Sequence, residues 1–116
     1  MTTMYGRKNC DTIKKAQKWL DNNQINYMFS DFRTDGITKE FVQEIVDALG
    51  WEAVINKRST TFRNLSDEVK QNLSGEAAIG VIIEQPTLIK RPILRLEDKL
   101  FVGFKDASYA EIFANA

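Results

Sequence analysis

The stretch Thr2-Thr3-Met4-Tyr5-Gly6-Arg7-Lys8-Asn9-Cys10-Asp11-Thr12-Ile13-Lys14-Lys15-Ala16 decides the fold. Thr2 to Tyr5 is short and β-prone, and the strand pattern breaks at Gly6. From Asp11 to Asn23, Ile13, Ala16, Trp19 and Leu20 recur at helical spacing. Asp11 or Thr12 is the expected N-cap, because either side chain can accept a backbone N–H. Alternation follows: Ile25, Tyr27 and Phe29 are apolar while Asn26 and Ser30 interleave with them, up to the turn at Asp35-Gly36. Strand, helix, strand in that order is the βαβ unit of a parallel pair.

Downstream the pattern turns helical. Phe41, Val42, Ile45, Val46 and Leu49 share one helical face ending at Gly50, and Trp51 to Ile55 is a short helical piece. Asn56 to Asn64 is a polar segment, and two more helices are expected over Ser66–Leu73 and Gly75–Glu84. Ser66 and Ser74 cap them, and Pro86 stops the second. β structure returns with Ile93, Leu94 and Leu96, a polar turn at Glu97-Asp98-Lys99, and the run Leu100 to Phe104. Asp106 is the expected cap of a last helix carrying Ala110, Ile112 and Phe113. The order β-α-β, helices, β-β-α, with Pro92 just before the third strand, is the plan of an α/β thioredoxin-like fold. The expectation is one domain over 1–116, a mixed β-sheet with a helical subdomain inserted between the second and third strands at about 37–85.

Composition removes whole classes of chemistry. The 116 residues include 16 Lys plus Arg and 16 Asp plus Glu, one cysteine and no histidine. An intrachain disulfide is excluded, a Cys/His metal site is disfavoured, and no mechanism can borrow an imidazole from this chain. No bound cofactor and no metal are expected. No apolar run approaches the roughly 20 residues that span a bilayer, and Met1 to Gly6 lacks the basic and apolar regions of a signal peptide. The expected location is the cytoplasm, with no membrane partner. Zero net charge also argues against nucleic acid as a partner.

Cys10 is the pivot of the remaining chemistry. It stands between the first strand and the first helix, where unpaired N–H groups and about half a positive charge stabilise a thiolate. Arg7 and Lys8 precede it, Lys14 and Lys15 follow one turn on, and Asp11 opposes them. The other reading of a lone cysteine is a small buried hydrophobe; the strand-to-helix position and the cationic flank favour the reactive one. Asp11, Thr12 and Ile13 supply no second thiol, so any thiol cycle draws its resolving thiol from outside. Thr12 either caps the helix or donates to the sulfur. Arg58 lies in the donor-rich run Asn56-Lys57-Arg58-Ser59-Thr60-Thr61-Phe62-Arg63, which suits an anion site or a solvated loop. Arg91 precedes Pro92, and a guanidinium beside a thiolate would grip an oxyanion or a carboxylate in bidentate fashion. A cis Pro92 would present backbone groups to a peptide-like thiol.

Tyr5-Gly6-Arg7-Lys8-Asn9-Cys10-Asp11-Thr12-Ile13-Lys14-Lys15-Ala16 resembles the active-site segment of the ArsC/Spx family, and within it the YffB branch. Gly50-Trp51-Glu52-Ala53, the run from Asn56 to Arg63, and Ile89-Lys90-Arg91-Pro92-Ile93 fit as well, so the resemblance extends from about Met4 to Phe113. It implies a thioredoxin-like fold with a helical insertion and a cis bond at Arg91–Pro92. It also implies Cys10, Arg58 and Arg91 as catalytic residues, with Lys8, Asn9, Thr12 and Pro92 on the substrate side. Arsenate reductases use a third arginine after the last strand, where this chain has Gly103-Phe104-Lys105. The implied function is a glutathione-dependent thiol-disulfide reductase using the Cys10 thiolate. Glutathione is then the co-substrate, directly or through a glutaredoxin-like reductant, and the substrate is a protein disulfide or a small oxyanion. Two alternatives accompany it: an arsenate reductase using the same cysteine, and a non-catalytic Spx-like module that binds RNA polymerase.

Overall fold

A computed structural model describes residues 1–8 and 10–115. The chain separates into two compact units, one formed by Met1–Thr34 with the C-terminal stretch from Arg91, the other by Asp35–Lys90.

The first unit is built on four strands, β1 (Thr2–Gly6), β2 (Met28–Asp31), β3 (Ile93–Leu96) and β4 (Lys99–Val102), in the order β2-β1-β3-β4. β1 and β2 run parallel with Gly6 opposite Asp31, whereas β1–β3 and β3–β4 are antiparallel. The mixed sheet, the βαβ start and the cis Arg91–Pro92 bond agree with the thioredoxin-like expectation. β2 begins later than the alternation predicts. Ile25 and Tyr27 are half-buried beside the core but precede the strand, whose buried end is Asp31. The hairpin turn is also tighter: Leu96 pairs with Lys99, and Glu97 takes a left-handed φ of +55°.

Helix α1 (Asp11–Asn22) and the last helix, α7 (Asp106–Ala114), supply the core over one face of this sheet. Met4 of β1 and Leu94 of β3 are buried with Ile13, Ala16 and Leu20 of α1 and Tyr109 of α7. In β1 only alternate residues are fully buried, the period of two that a pleated strand imposes. Tyr109 meets Phe104 edge-on at 4.6 Å and Trp19 edge-on at 5.5 Å between ring centroids. Such pairs contribute about 0.5–1.5 kcal/mol beyond their buried area. Gly6 sits where α1 comes down on the end of β1, and a Cβ there would fall into the Ile13 side chain. Asp106 is not the cap of α7: the N-cap is Lys105, and Asp106 lies in the first turn, where its charge suits the helix dipole.

The second unit is helical: α2 (Lys39–Leu49), α3 (Trp51–Val54), α4 (Thr60–Arg63), α5 (Asp67–Gln71) and α6 (Gly75–Glu84). Thr38, Ser59, Ser66 and Ser74 each accept a backbone N–H at a helix start. The polar segment Asn56–Asn64 contains the one-turn helix α4, started by the Ser59 cap. Gly50 ends α2 at φ +86°, a conformation that glycine adopts without Cβ strain. α2 packs on α6 through buried Val42, Ile45, Val46, Ala78 and Ile82. A bridge between Ile55 and Ile89 closes the unit, with Lys90 N–H donating to the Val54 carbonyl at 2.7 Å. Among the described residues no helix is long and apolar enough to cross a membrane.

Candidate active site

Cys10 is the N-cap residue of α1, with extended backbone (φ −101°, ψ 126°). Its carbonyl accepts the first helical bond from Lys14 N–H at 3.0 Å. This corrects the expected cap: Asp11 and Thr12 are already inside the helix, and no side chain caps it. The positive end of a three-turn helix is therefore left without a side-chain acceptor beside the thiol. The Cys10 side chain is half-buried, packed against the core on one side and open to a pocket on the other.

That pocket has a volume of about 450 Å³. Arg7 and Lys8 enter it from the β1–α1 loop with Cys10, Asp31 closes β2, Arg33 and Thr34 follow it, and Arg91 comes from the approach to β3. Four cationic side chains thus face one thiol and one carboxylate. Neither of the ion pairs Met1–Glu97 and Lys57–Glu52 involves Arg7, Lys8, Arg33 or Arg91.

Asp31 is 4% exposed and its carboxylate is heavily engaged. Oδ2 accepts Lys8 N–H at 3.0 Å, while Oδ1 accepts Arg33 N–H at 2.7 Å and Thr34 N–H at 3.2 Å. The Lys8 bond, followed by those of Arg33 and Thr34 and by the Lys8 charge, holds this carboxyl below the usual carboxylate range against the opposing pull of burial. Asp31 is accordingly an anion at neutral pH, and its lone pairs are directed at backbone.

The predicted site residues distribute as follows. Cys10, Lys8 and Arg91 come together in the pocket. Thr12 and Pro92 are outside its lining; Thr12 is a helical residue, and the Pro92 carbonyl accepts Gly103 N–H at 2.9 Å. Asn9 lies outside the described residues. Arg58 belongs to the helical unit, exposed between α3 and α4, with its N–H donating to Asn56 Oδ1 at 3.1 Å. Lys105 is exposed at the head of α7 and does not line the pocket. Asp31, Arg33 and Thr34 were not anticipated. The available signal was an aspartate at the carboxyl end of the strand parallel to β1, since that register sets it against Gly6 and the cysteine loop.

Residues 5–112 match the ArsC family. The chain belongs to that family. A YffB protein of known structure is 40% identical and superposes with a TM-score of 0.91, covering 96% of this chain and 97% of the other. An uncharacterized protein of Haemophilus influenzae is 46% identical over 114 residues, 98% of this chain and all of the relative. The global transcriptional regulator Spx 2 of Bacillus anthracis is 32% identical over 108 residues, 91% of this chain and 82% of the regulator. This ArsC-family chain carries one thiol, at the head of the helix that follows its first strand.

Proposed function

We propose that the protein is a glutathione-dependent thiol-disulfide reductase. The observation that carries this reading is the half-buried Cys10 at a helix start with no side-chain cap, in a pocket lined by four cationic side chains. A pocket of that charge attracts an anionic partner, and glutathione brings two carboxylates next to the sulfur to be attacked. ArsC-family membership supports thiol chemistry at this position.

The Cys10 thiolate attacks the glutathionyl sulfur of a glutathionylated substrate. A Cys10–glutathione bond forms, the substrate S–S bond breaks, and the departing thiolate takes a proton from water. A second glutathione, as thiolate, attacks the same glutathionyl sulfur, releasing Cys10 and leaving oxidised glutathione. Overall the substrate sulfur goes from the disulfide to the thiol level, the resolving glutathione sulfur goes from the thiol to the disulfide level, and the transferred glutathionyl sulfur stays at the disulfide level. The resolving thiol must come from outside because the chain has one cysteine. Arg91 and Lys8 hold the glutathione carboxylates, Arg91 through its planar fork. This chemistry is carried by groups of the first unit.

A second reading, arsenate reduction at Cys10, draws on the same cation cluster, because guanidinium groups grip tetrahedral oxyanions equally well. Turnover separates the two. With glutathione as reductant, the wild type should reduce a glutathionylated peptide and Cys10→Ser should not. Turnover of arsenate alone would replace the thiol-disulfide reading with the second. Turnover of neither, with purified RNA polymerase retained by the protein, would replace both with an Spx-like binding role.

A further inference from the structure

We propose that Asp31 is the positioning residue of this site, its buried carboxylate binding the Lys8 and Arg33–Thr34 backbones together so that cations from two separate loops and the Cys10 thiol address one anionic disulfide. The inference rests on the reading of the pocket as the seat of an anionic disulfide.

A single anion in a ring of cations has two possible uses: it can lower the local charge, or it can hold the frame. The geometry favours the frame. Both oxygens are directed at main-chain N–H groups at 2.7–3.2 Å. One of those N–H groups is two residues before Cys10 and the other two follow β2, 23 residues or more from Lys8 in sequence. Behind the loop the two segments are also tied by the β1–β2 pairing of Gly6 with Asp31 and by Phe32 N–H donating to the Gly6 carbonyl at 2.8 Å. Without the carboxylate, the Lys8, Arg33 and Thr34 N–H groups lose these bonds at the pocket. The loop then samples positions an ångström or more apart, enough to affect approach to a reacting sulfur by on the order of 10–100-fold.

The two uses predict opposite signs. Removing a negative charge makes the pocket more cationic, so electrostatics alone would speed an anionic disulfide; loss of positioning slows it. The full-length wild type, Asp31→Asn and Asp31→Ala are reacted with 5,5′-dithiobis(2-nitrobenzoate), which carries two carboxylates, and with neutral 2,2′-dithiodipyridine. Far-UV circular dichroism checks that each variant is folded. In the wild type the anionic reagent should be preferred. In both variants that preference should fall by about tenfold or more, with the loss in half-saturation rather than in the limiting rate, while the neutral reagent still reacts. A preference that is unchanged or raised overturns the positioning role and leaves the anionic-disulfide reading intact. No preference in the wild type overturns that reading and this inference with it. Should neither variant fold, the amide proton shifts of Lys8, Arg33 and Thr34 in the wild type decide. They should titrate together at acid pH as one carboxylate releases all three; three unrelated titrations overturn the proposal.

Discussion

Lys8 N–H donates to Asp31 Oδ2 at 3.0 Å, tying the loop that carries the cysteine to the end of a strand 23 residues away. This bond, with its counterparts from Arg33 and Thr34, makes the site a joint product of two loops rather than of the cysteine segment alone.

Acid stability should depend on that carboxylate. Asp31 titrates below the usual range in the folded chain, chiefly through the Lys8 bond. Its contribution is therefore complete above the ordinary carboxylate value near about 4 and is lost as pH falls through the lower, folded value. Denaturant titrations of the wild type should show stability falling as pH drops below about 4. Asp31→Asn should be less stable at neutral pH and lose part of that dependence. Equal acid slopes for the two proteins would contradict the assignment.

Tyr109 predicts a change at the other end of the scale. Its hydroxyl is buried with no hydrogen-bond partner among the described residues, and burial pushes the phenol well above its ordinary value. Tyr109→Phe should be neutral or stabilising by about 1 kcal/mol, because a buried unpaired hydroxyl costs about that much. In the wild type, stability should fall as pH rises past about 10, since the unfolded chain releases a phenolic proton that the folded one keeps. Thermal melts across pH check both, and a melting temperature several degrees lower for Tyr109→Phe at neutral pH would contradict them.

Gly6→Ala should be costly. The added Cβ meets Ile13, itself 1% exposed in the core, so relief requires Ile13 to move within packed surroundings. Overpacking of this kind costs about 1–3 kcal/mol. A combined Gly6→Ala/Ile13→Val variant should recover part of the loss in chemical denaturation, and full additivity of the two changes would rule out the contact as the cause.

Much of this fold is legible in the sequence, and its gaps have physical reasons. Long amphipathic segments such as α1 and α2 declare themselves because their apolar faces repeat over several turns, and Gly50 and Pro86 mark stops. The four-residue helix α4 hides in a polar run because one turn held by the Ser59 cap has no periodicity to detect. β2 is displaced because Ile25 and Tyr27 pack on the core from outside the ladder, and packing rather than pairing makes them apolar. The site was half visible. Cys10, Lys8 and Arg91 announce themselves by local charge and by Pro92, whereas Asp31 and Arg33 matter through the β1–β2 register, which brings together segments that the chain keeps apart.

The cation cluster predicts a salt signature. The reaction of Cys10 with an anionic disulfide should slow as ionic strength rises toward about 0.15 M, where charge is screened beyond about 8 Å. A neutral disulfide should be nearly insensitive. Arg91→Ala should reduce only the anionic rate, by on the order of tenfold, the scale of one charged hydrogen bond of about 1.5 kcal/mol. Stopped-flow rates at several salt concentrations give both comparisons, and equal salt dependence for the two reagents would contradict the cluster's role.

The proposed function stands on Cys10 being a thiol that reacts with glutathione. Intact-mass analysis of the full chain after incubation with oxidised glutathione decides this. One glutathionyl adduct per chain should appear, mapped to Cys10, absent from Cys10→Ser and removed by added reduced glutathione. An unmodified wild-type mass under conditions that glutathionylate an exposed model thiol would contradict it.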